Sequence, residues 1–298
     1  MPSRVTQSML NTQMLRNVNN NLMRMEKLQD QLSTGRRINK PSDDPVGISF
    51  SLRYRSELEA NDQYIKNVDS AVSWLEYTDT LLGQAGSVMQ RARELAVQGA
   101  NKTNPQDAMN SIASEIDQLK EQMLTIANSS FNGKYVFNGE LTDVKPYSED
   151  DPGADVTDTG KIQYEIGVGV RLAVNVTGNE VFGPAGAENN IFVALTQLSE
   201  DLRNSDFDAV SDAIETIDER MDAFLGIRAD IGAKTNRIQL AEQRLGDIEV
   251  NLTNLQSKTE DADLAEVITN LKMDENVYQA SLSAGSRLIQ PSLIDFLR

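Results

Sequence analysis

The chain has 298 residues and a formal charge of −17 at pH 7. That balance argues against a general nucleic-acid binder, because phosphate contacts need a basic face, and against an anionic membrane surface as partner. There is no cysteine and no histidine. A disulfide framework and a thiolate metal site are therefore excluded, as are the usual general base and every Ser-His-Asp or Cys-His arrangement.

The N-terminal stretch MPSRVTQSMLNTQM has no apolar h-region and no small-residue cleavage site, and no run of about 18 apolar residues follows anywhere. The expectation is no membrane span, and either cytoplasmic residence or export by a route that does not read a Sec signal. Val5, Met9, Leu15, Val18, Leu22, Met25, Leu28 and Leu32 recur mostly at steps of three or four, an amphipathic helix stripe. Asn17, Asn19, Asn20 and Asn21 weaken helix propensity there.

The stretch QLSTGRRINKPSDDPVGI, residues 31–48, follows. Arg36, Arg37 and Lys40 offer an anion site, but they sit just past a helix C-terminus, where cations complement the dipole. Asp43 and Asp44 offer metal ligands, but one suits an N-cap and both suit the positive end of the next helix. The stretch reads as a joint between two helices, built on Gly35, Arg36, Arg37, Asn39, Asp43 and Asp44.

A second helix is expected from Pro45, capped by Asp44, with Gly99 in the C′ role. Its stripe is Leu58, Ile65, Val68, Val72, Leu75, Leu82, Ala85, Met89, Ala92 and Ala96, far longer than the usual globular helix of about 11–12 residues. A third helix is expected after Asn104-Pro105, with Asn104 as N-cap and Ile112, Ile116, Leu119, Met123 and Ile126 as its seam.

The texture changes near residue 133. Residues 138–190 hold eight of the 18 glycines and ten acids against three bases, so a small β-rich insertion is expected there. Within it, KIQYEIGVGVRLAVNV alternates apolar and polar, a strand or hairpin signal, with Gly167 and Gly169 marking a bend. SEDDPGAD (148–155) lacks the spacing of a calcium loop, and GVGVRL is not a phosphate cradle. Helical pattern returns near Ile191.

Val210, Ile217, Phe224, Ile231, Ile238, Leu245 and Leu252 then recur every seven residues. Ala213, Ile227, Ala241, Ile248 and Leu255 fill d positions, and Arg220 and Lys234 depart from them. This heptad pattern marks coiled-coil packing, with the helix from Pro45 as the expected partner. Leu264, Ile268, Leu271, Tyr278, Leu282 and Ile289 form a last stripe before Pro291 and SLIDFLR.

The predicted fold class is mainly α. A long antiparallel coiled-coil or helical-bundle rod is formed by the N- and C-terminal halves, with a small inserted β-rich domain. The expected domains are residues 1–42 with 261–298, 43–137 with 191–260, and 138–190. If the two ends pair only with each other they bury little apolar area. At roughly 25 cal/mol per Å² that falls short of ordering costs of about 1–2 kcal/mol per residue. The termini are expected to order fully only when neighbours supply more surface. That is an assembly logic, and with no catalytic constellation or cofactor motif the chain does not read as an enzyme.

Several motifs resemble one family in chain order. LSTGRRINKPSDDPVG (32–47), MQRARELAVQGANKTN (89–104) and IANSSFNGKYVFNG (126–139) resemble the signatures of bacterial flagellins and their junction proteins. PSDDP at 41–45, GKYVFNG followed by a short acidic segment and KPY at 145–147, and the ending YQASLSAGSRLIQPSLIDFL (278–297) resemble the hook–filament junction branch. RELAVQ and RIN are flagellin-like. The resemblance implies tube-lining terminal helices, a helical rod, an outer β domain and no cofactor. It implies extracellular placement in the flagellum, export without a cleaved signal peptide, and a cytoplasmic export chaperone. The implied neighbours are hook-associated protein 1, flagellin and further copies of the chain in a ring. It also implies that Gln90, Arg91, Leu95, Gln98 and Glu115 match a surface by which an innate immune receptor recognises certain flagellins, unless they serve rod packing. A flagellin filament subunit is the runner-up reading, and a cytoplasmic coiled-coil scaffold a more distant one.

Overall fold

The structure is a computed structural model that describes residues 7–289, with side-chain placement over 9–286. Val5 of the first stripe, and Pro291 with the final SLIDFLR, lie outside the described residues. The chain divides into two compact units, one of residues 1–60 with 248–298 and one of residues 61–247.

The elements in chain order are α1 (Gln7–Thr34), α2 (Pro45–Gly99), α3 (Gln106–Ala127), β1 (Ser130–Phe131), β2 (Lys134–Tyr135), β3 (Gln163–Gly167), β4 (Val170–Ala173), α4 (Gly178–Phe182), α5 (Ile191–Asn204), α6 (Phe207–Glu260) and α7 (Leu264–Ile289). The protein is mainly α. Residues 138–190 hold the hairpin β3–β4 and the single-turn helix α4, joined by long loops. The alternating segment turns Ile166, Leu172, Val174 and Val176 into the core.

In the unit of residues 61–247, α2 and α6 run antiparallel. Asn61 donates from Nδ2 to the Leu245 carbonyl at 3.1 Å, Arg228 binds Asp79, and Arg93 binds Asp218. The heptad explains why. Val210, Ile217, Phe224, Ile231, Ile238 and Leu245 are all buried, and they share one core with Val68, Ala71, Leu75, Leu82, Ala85, Met89 and Ala96. Phe224 reaches in where Gly86 presents no side chain. At the far end of the heptad the seam fades, for Ile248 and Leu255 are 38% and 43% exposed. Lys234 at a d position keeps its ammonium by Asp230, 2.8 Å away.

Two helix boundaries differ in mechanism from the sequence expectation. Gly99 ends α2 but is not in the left-handed region; its missing Cβ lets Leu202 pack against the backbone. Asn104 does not cap α3. Pro105 holds the N-cap position in extended conformation, and Asn104 Nδ2 donates back to the Gln98 carbonyl at 2.6 Å, serving an orphan acceptor of α2. The α3 seam is as expected, with Ile112, Ile116, Met123 and Ile126 buried, and it packs on α5.

Between α3 and the loop-rich segment, Asn132 and Gly133 both have positive φ, the two-residue turn that matches strand twist in the β1–β2 hairpin. Beyond it, Phe137, Tyr147, Phe182 and Phe192 form an aromatic cluster with ring centroids 5.1–5.6 Å apart. That cluster supplies a core to a segment with little regular structure.

In the unit of residues 1–60 with 248–298, α1 packs on α7. The seam shares Val18 and Leu271 with the stripes read in sequence and adds polar residues to them. Val18, Asn21 and Gln31 of α1 are buried, as are Val267, Leu271 and Asp274 of α7. Arg24 bridges to Asp274 at 3.3 Å and also donates to the Asn21 amide oxygen. Met9, Leu15, Leu22 and Leu32, with Leu264, Ile268 and Leu282, stay 38–62% exposed. Each helix therefore combines a partly polar buried seam with apolar side chains that remain largely open to solvent.

Candidate functional site

The joint predicted at residues 35–44 is built as two helix ends with a short loop between them. α1 stops at Thr34 because Gly35 takes φ +69°, and its amide donates to the Gln31 carbonyl at 2.9 Å. α2 starts at Pro45 because Asp44 Oδ1 accepts the Gly47 amide at 2.9 Å. Asp43 turns the loop: its Oδ2 accepts the amides of Lys40 (2.9 Å) and Asn39 (3.2 Å), and Lys27 lies 3.1 Å from its Oδ1. The Lys40 amide, opposed by burial and helped by Lys27, holds the Asp43 carboxyl below the usual range. Asn39 Nδ2 donates to the Arg36 carbonyl at 3.1 Å.

The structure thus brings Gly35, Arg36, Arg37, Asn39, Asp43 and Asp44 together, with Asp43 and Asp44 spent on backbone amides rather than presented to a metal. Among the described residues no cluster of three or more metal-ligating side chains exists. Arg37 Nη1 lies 3.6 Å from Asp44 Oδ2.

What sequence reasoning missed is the other half of the joint. Arg37 donates its amide to the Glu260 carbonyl at 2.6 Å and its Nη2 to the Thr259 carbonyl at 2.9 Å. Ala262 donates its amide to the Gly35 carbonyl at 3.0 Å, and Arg36 pairs with Asp261 as a single antiparallel bridge. The Glu260 side chain, 2% exposed, accepts from Arg55 Nε (2.9 Å) and Nη2 (2.6 Å) and from the Ser51 hydroxyl, with Arg36 Nε 3.5 Å away. The loop after α1 is therefore stitched to the α6–α7 turn. The signal available in sequence was the cluster TEDAD at 259–263, whose partner no local rule names.

The second candidate surface divides. Gln90, Arg91 and Gln98 are exposed on α2, whereas Leu95 is 2% exposed and belongs to the core. Its apolar side chain faces inward on the same stripe as Ala92 and Ala96, so it forms no part of a surface. Arg91 binds Glu115 through Nε (2.8 Å) and Nη2 (2.7 Å) and lies 3.2 Å from Glu94. Arg91 and Glu115 therefore link α2 to α3.

Two sequence families account for both ends. Residues 5–142 match the bacterial flagellin N-terminal helical region, and residues 214–297 match the bacterial flagellin C-terminal helical region. The chain belongs to the bacterial flagellin family. Among similar flagellin-family proteins, flagellar hook-associated protein 3 of Escherichia coli (strain K12) is 26% identical over 94% of this chain and 95% of its own length. A flagellin of Halalkalibacterium halodurans is 27% identical over 89% of this chain and 88% of its own length. The flagellar junction protein of Legionella pneumophila shares the fold, with a TM-score of 0.58 at 16% identity over 72% of this chain and all of that one. The two matched regions leave residues 143–213 between them, and the joint falls inside the N-terminal region.

Proposed function

We propose that this chain is a structural adaptor of the bacterial flagellum that joins the hook to the flagellin filament and performs no catalysis. The observation that carries the proposal is the set of apolar side chains left exposed on α1 and α7. Six residues, Leu15, Leu22, Leu32, Leu264, Ile268 and Leu282, stay exposed beside a seam that is partly polar. Exposed apolar rows of this kind ask for a partner surface. The similarity to hook-associated protein 3 across nearly the whole chain, and the family to which the chain belongs, supply the setting.

In this reading residues 1–42 with 261–298 form the inner assembling domain, 43–137 with 191–260 the rod, and 138–190 the outer segment. The neighbours are hook-associated protein 1 on one side, flagellin on the other and further copies of the chain in a ring. The chain leaves the cell through the flagellar export channel, guided by a cytoplasmic chaperone, without a cleaved signal peptide. The joint at Gly35–Asp44 is the hinge between the inner domain and the rod. The receptor-facing surface is not part of the proposal, because Leu95 is buried and Arg91 is engaged by Glu115.

Deleting the gene tests the proposal. Electron micrographs should show hooks without filaments, with flagellin lost to the medium; normal filaments would sink it. The filament-subunit reading has support from the similarity to flagellins. Long filaments grown from filament seeds by the purified chain alone would favour that second reading.

A further inference from the structure

Glu260 touches three separate segments. Its carboxylate receives Arg55 and Ser51 from the first turns of α2, Arg36 from the loop after α1, and Gln256 from its own helix at 3.4 Å. Its backbone carbonyl receives the Arg37 amide. A buried ion pair is weak evidence for stability, because the desolvation cost offsets much of the attraction, but it can fix register where apolar packing does not. The α1–α7 seam needs such a device: Val18, Val267 and Leu271 are its buried apolar residues, and Asn21, Gln31 and Asp274 share the seam with them. An apolar residue at 260 would still fill the space against α2, but it would offer nothing to the Arg36 and Arg55 guanidinium groups.

We infer that Glu260 is the positioning residue of the joint. It holds the chain leaving α1 in register with the α6–α7 turn, and so sets where α1 and α7 present their exposed apolar side chains to neighbouring subunits. This inference rests on the adaptor reading for its consequence, though not for its geometry. Arg55, which grips both carboxylate oxygens, is the principal partner, and Arg36 carries the effect to the loop.

The test uses the full chain with Glu260→Gln and two readouts. The first is hydrogen exchange of the Arg37 and Ala262 amides in the purified protein, with the Gly47 amide as internal control because Asp44 caps it separately. Exchange at Arg37 and Ala262 should rise by about tenfold or more on losing a charge-assisted hydrogen-bond pair, with Gly47 unchanged. The second readout is filament attachment when purified protein is supplied to hooks of the deletion strain, and it should be lost.

A rescue separates positioning from direct contact with a neighbour. Arg36→Cys with Asp261→Cys introduces one cysteine pair into a chain that has none, at an antiparallel bridge whose Cα atoms stand at about 5 Å. Oxidised in the Glu260→Gln background, the pair should restore slow exchange and attachment together. Unchanged exchange in Glu260→Gln overturns the inference. So does faster exchange with attachment intact, or attachment still lost once the cystine has closed the joint. If Glu260→Gln lowers the helicity of the whole chain, Arg55→Lys replaces it, keeping the charge but not the two-pronged geometry; no acceleration there is equally adverse. Normal filaments in the deletion strain would instead fault the adaptor reading, while the exchange data would still judge the joint.

Discussion

Arg220 donates from Nε to the Asn189 carbonyl at 3.0 Å and from Nη1 to the Glu180 carbonyl at 3.3 Å, from a heptad position where an apolar residue is the rule. The residue is 6% exposed, and burial pushes its guanidinium pKa down. The departure in the heptad is therefore a pin that fastens the segment after α4 to α6. Replacing Arg220 with Ala should destabilise the chain by about 1–3 kcal/mol, since two carbonyls lose their donor. Replacing it with Leu should recover only part of that loss. Urea unfolding followed by the fluorescence of Trp74, the one tryptophan, measures both.

The heptad seam sets a second expectation. Ile231 is 2% exposed and Leu240 68%. Ile231→Ala should cost about 2–5 kcal/mol, as large-to-small changes in packed cores do. Leu240→Ala should stay within about 0.5 kcal/mol. Equal effects at the two positions would mean that the seam is not where the buried residues place it.

Acid should open the joint, and only acid. Burial favours the protonated form of Glu260, but hydrogen bonds from Arg55 and Ser51 outweigh it and hold the pKa below the ordinary 4.5. A carboxylate depressed in the folded state contributes stability that is fully present above its unfolded value and is lost as pH falls through the folded value. Opening of the Arg37 amide, corrected for intrinsic exchange, should therefore stay flat from neutral pH down to the ordinary carboxylate range and rise only below it. In Glu260→Gln the flat region should already stand at the raised level.

Gly139 is a position where the backbone itself demands glycine. Its φ is +55°, and a Cβ there would stand 2.5 Å from the Asp158 carbonyl oxygen. Asp158 also accepts the Glu140 amide at 2.6 Å, so the loop cannot move aside freely. Gly139→Ala should cost about 1–3 kcal/mol or more from strain and overlap together. Gly133 has φ +77° but open space around it, so Gly133→Ala should cost only the left-handed backbone penalty of about 1–2 kcal/mol. Thermal melts of the two variants rank them.

Brief proteolysis of the isolated chain should trim both ends and leave roughly residues 45–260, because α1 and α7 bury few apolar side chains. Equal resistance along the chain would contradict the assembly logic. Cleavage should slow in sheared appendages, where neighbouring subunits would cover the exposed apolar side chains.

The local signals in the sequence were read correctly where the physics is local. Asp44-Pro45 begins α2 because a cap needs only its own next three residues. The alternation from 162 to 176 becomes the β3–β4 hairpin because side-chain direction has period two. The seven-residue spacing from Val210 to Leu245 becomes the core of α6 because the seam repeats along one helix. Where a second segment chooses the outcome, sequence reading stopped short. Asn104 was free to cap α3 by type and spacing, yet the exposed end of α2 claimed its amide. The stripes of α1 and α7 were legible as apolar, but not that Asn21, Gln31 and Asp274 would be buried beside Val18 and Leu271, with Arg24 bridged to Asp274.

By itself the sequence determined the long helices, their antiparallel partnership and the helix–loop–helix form of GRRINKPSDDP, since propensity, capping and periodicity act within a few residues. Only the tertiary structure decided what that joint holds. Arg55 and Glu260 lie 205 residues apart in the chain, and neither spacing nor composition links them. Their pairing follows from the packing of α2 on α6, which removes water from the carboxylate and sets Arg55, with Ser51, where they satisfy it.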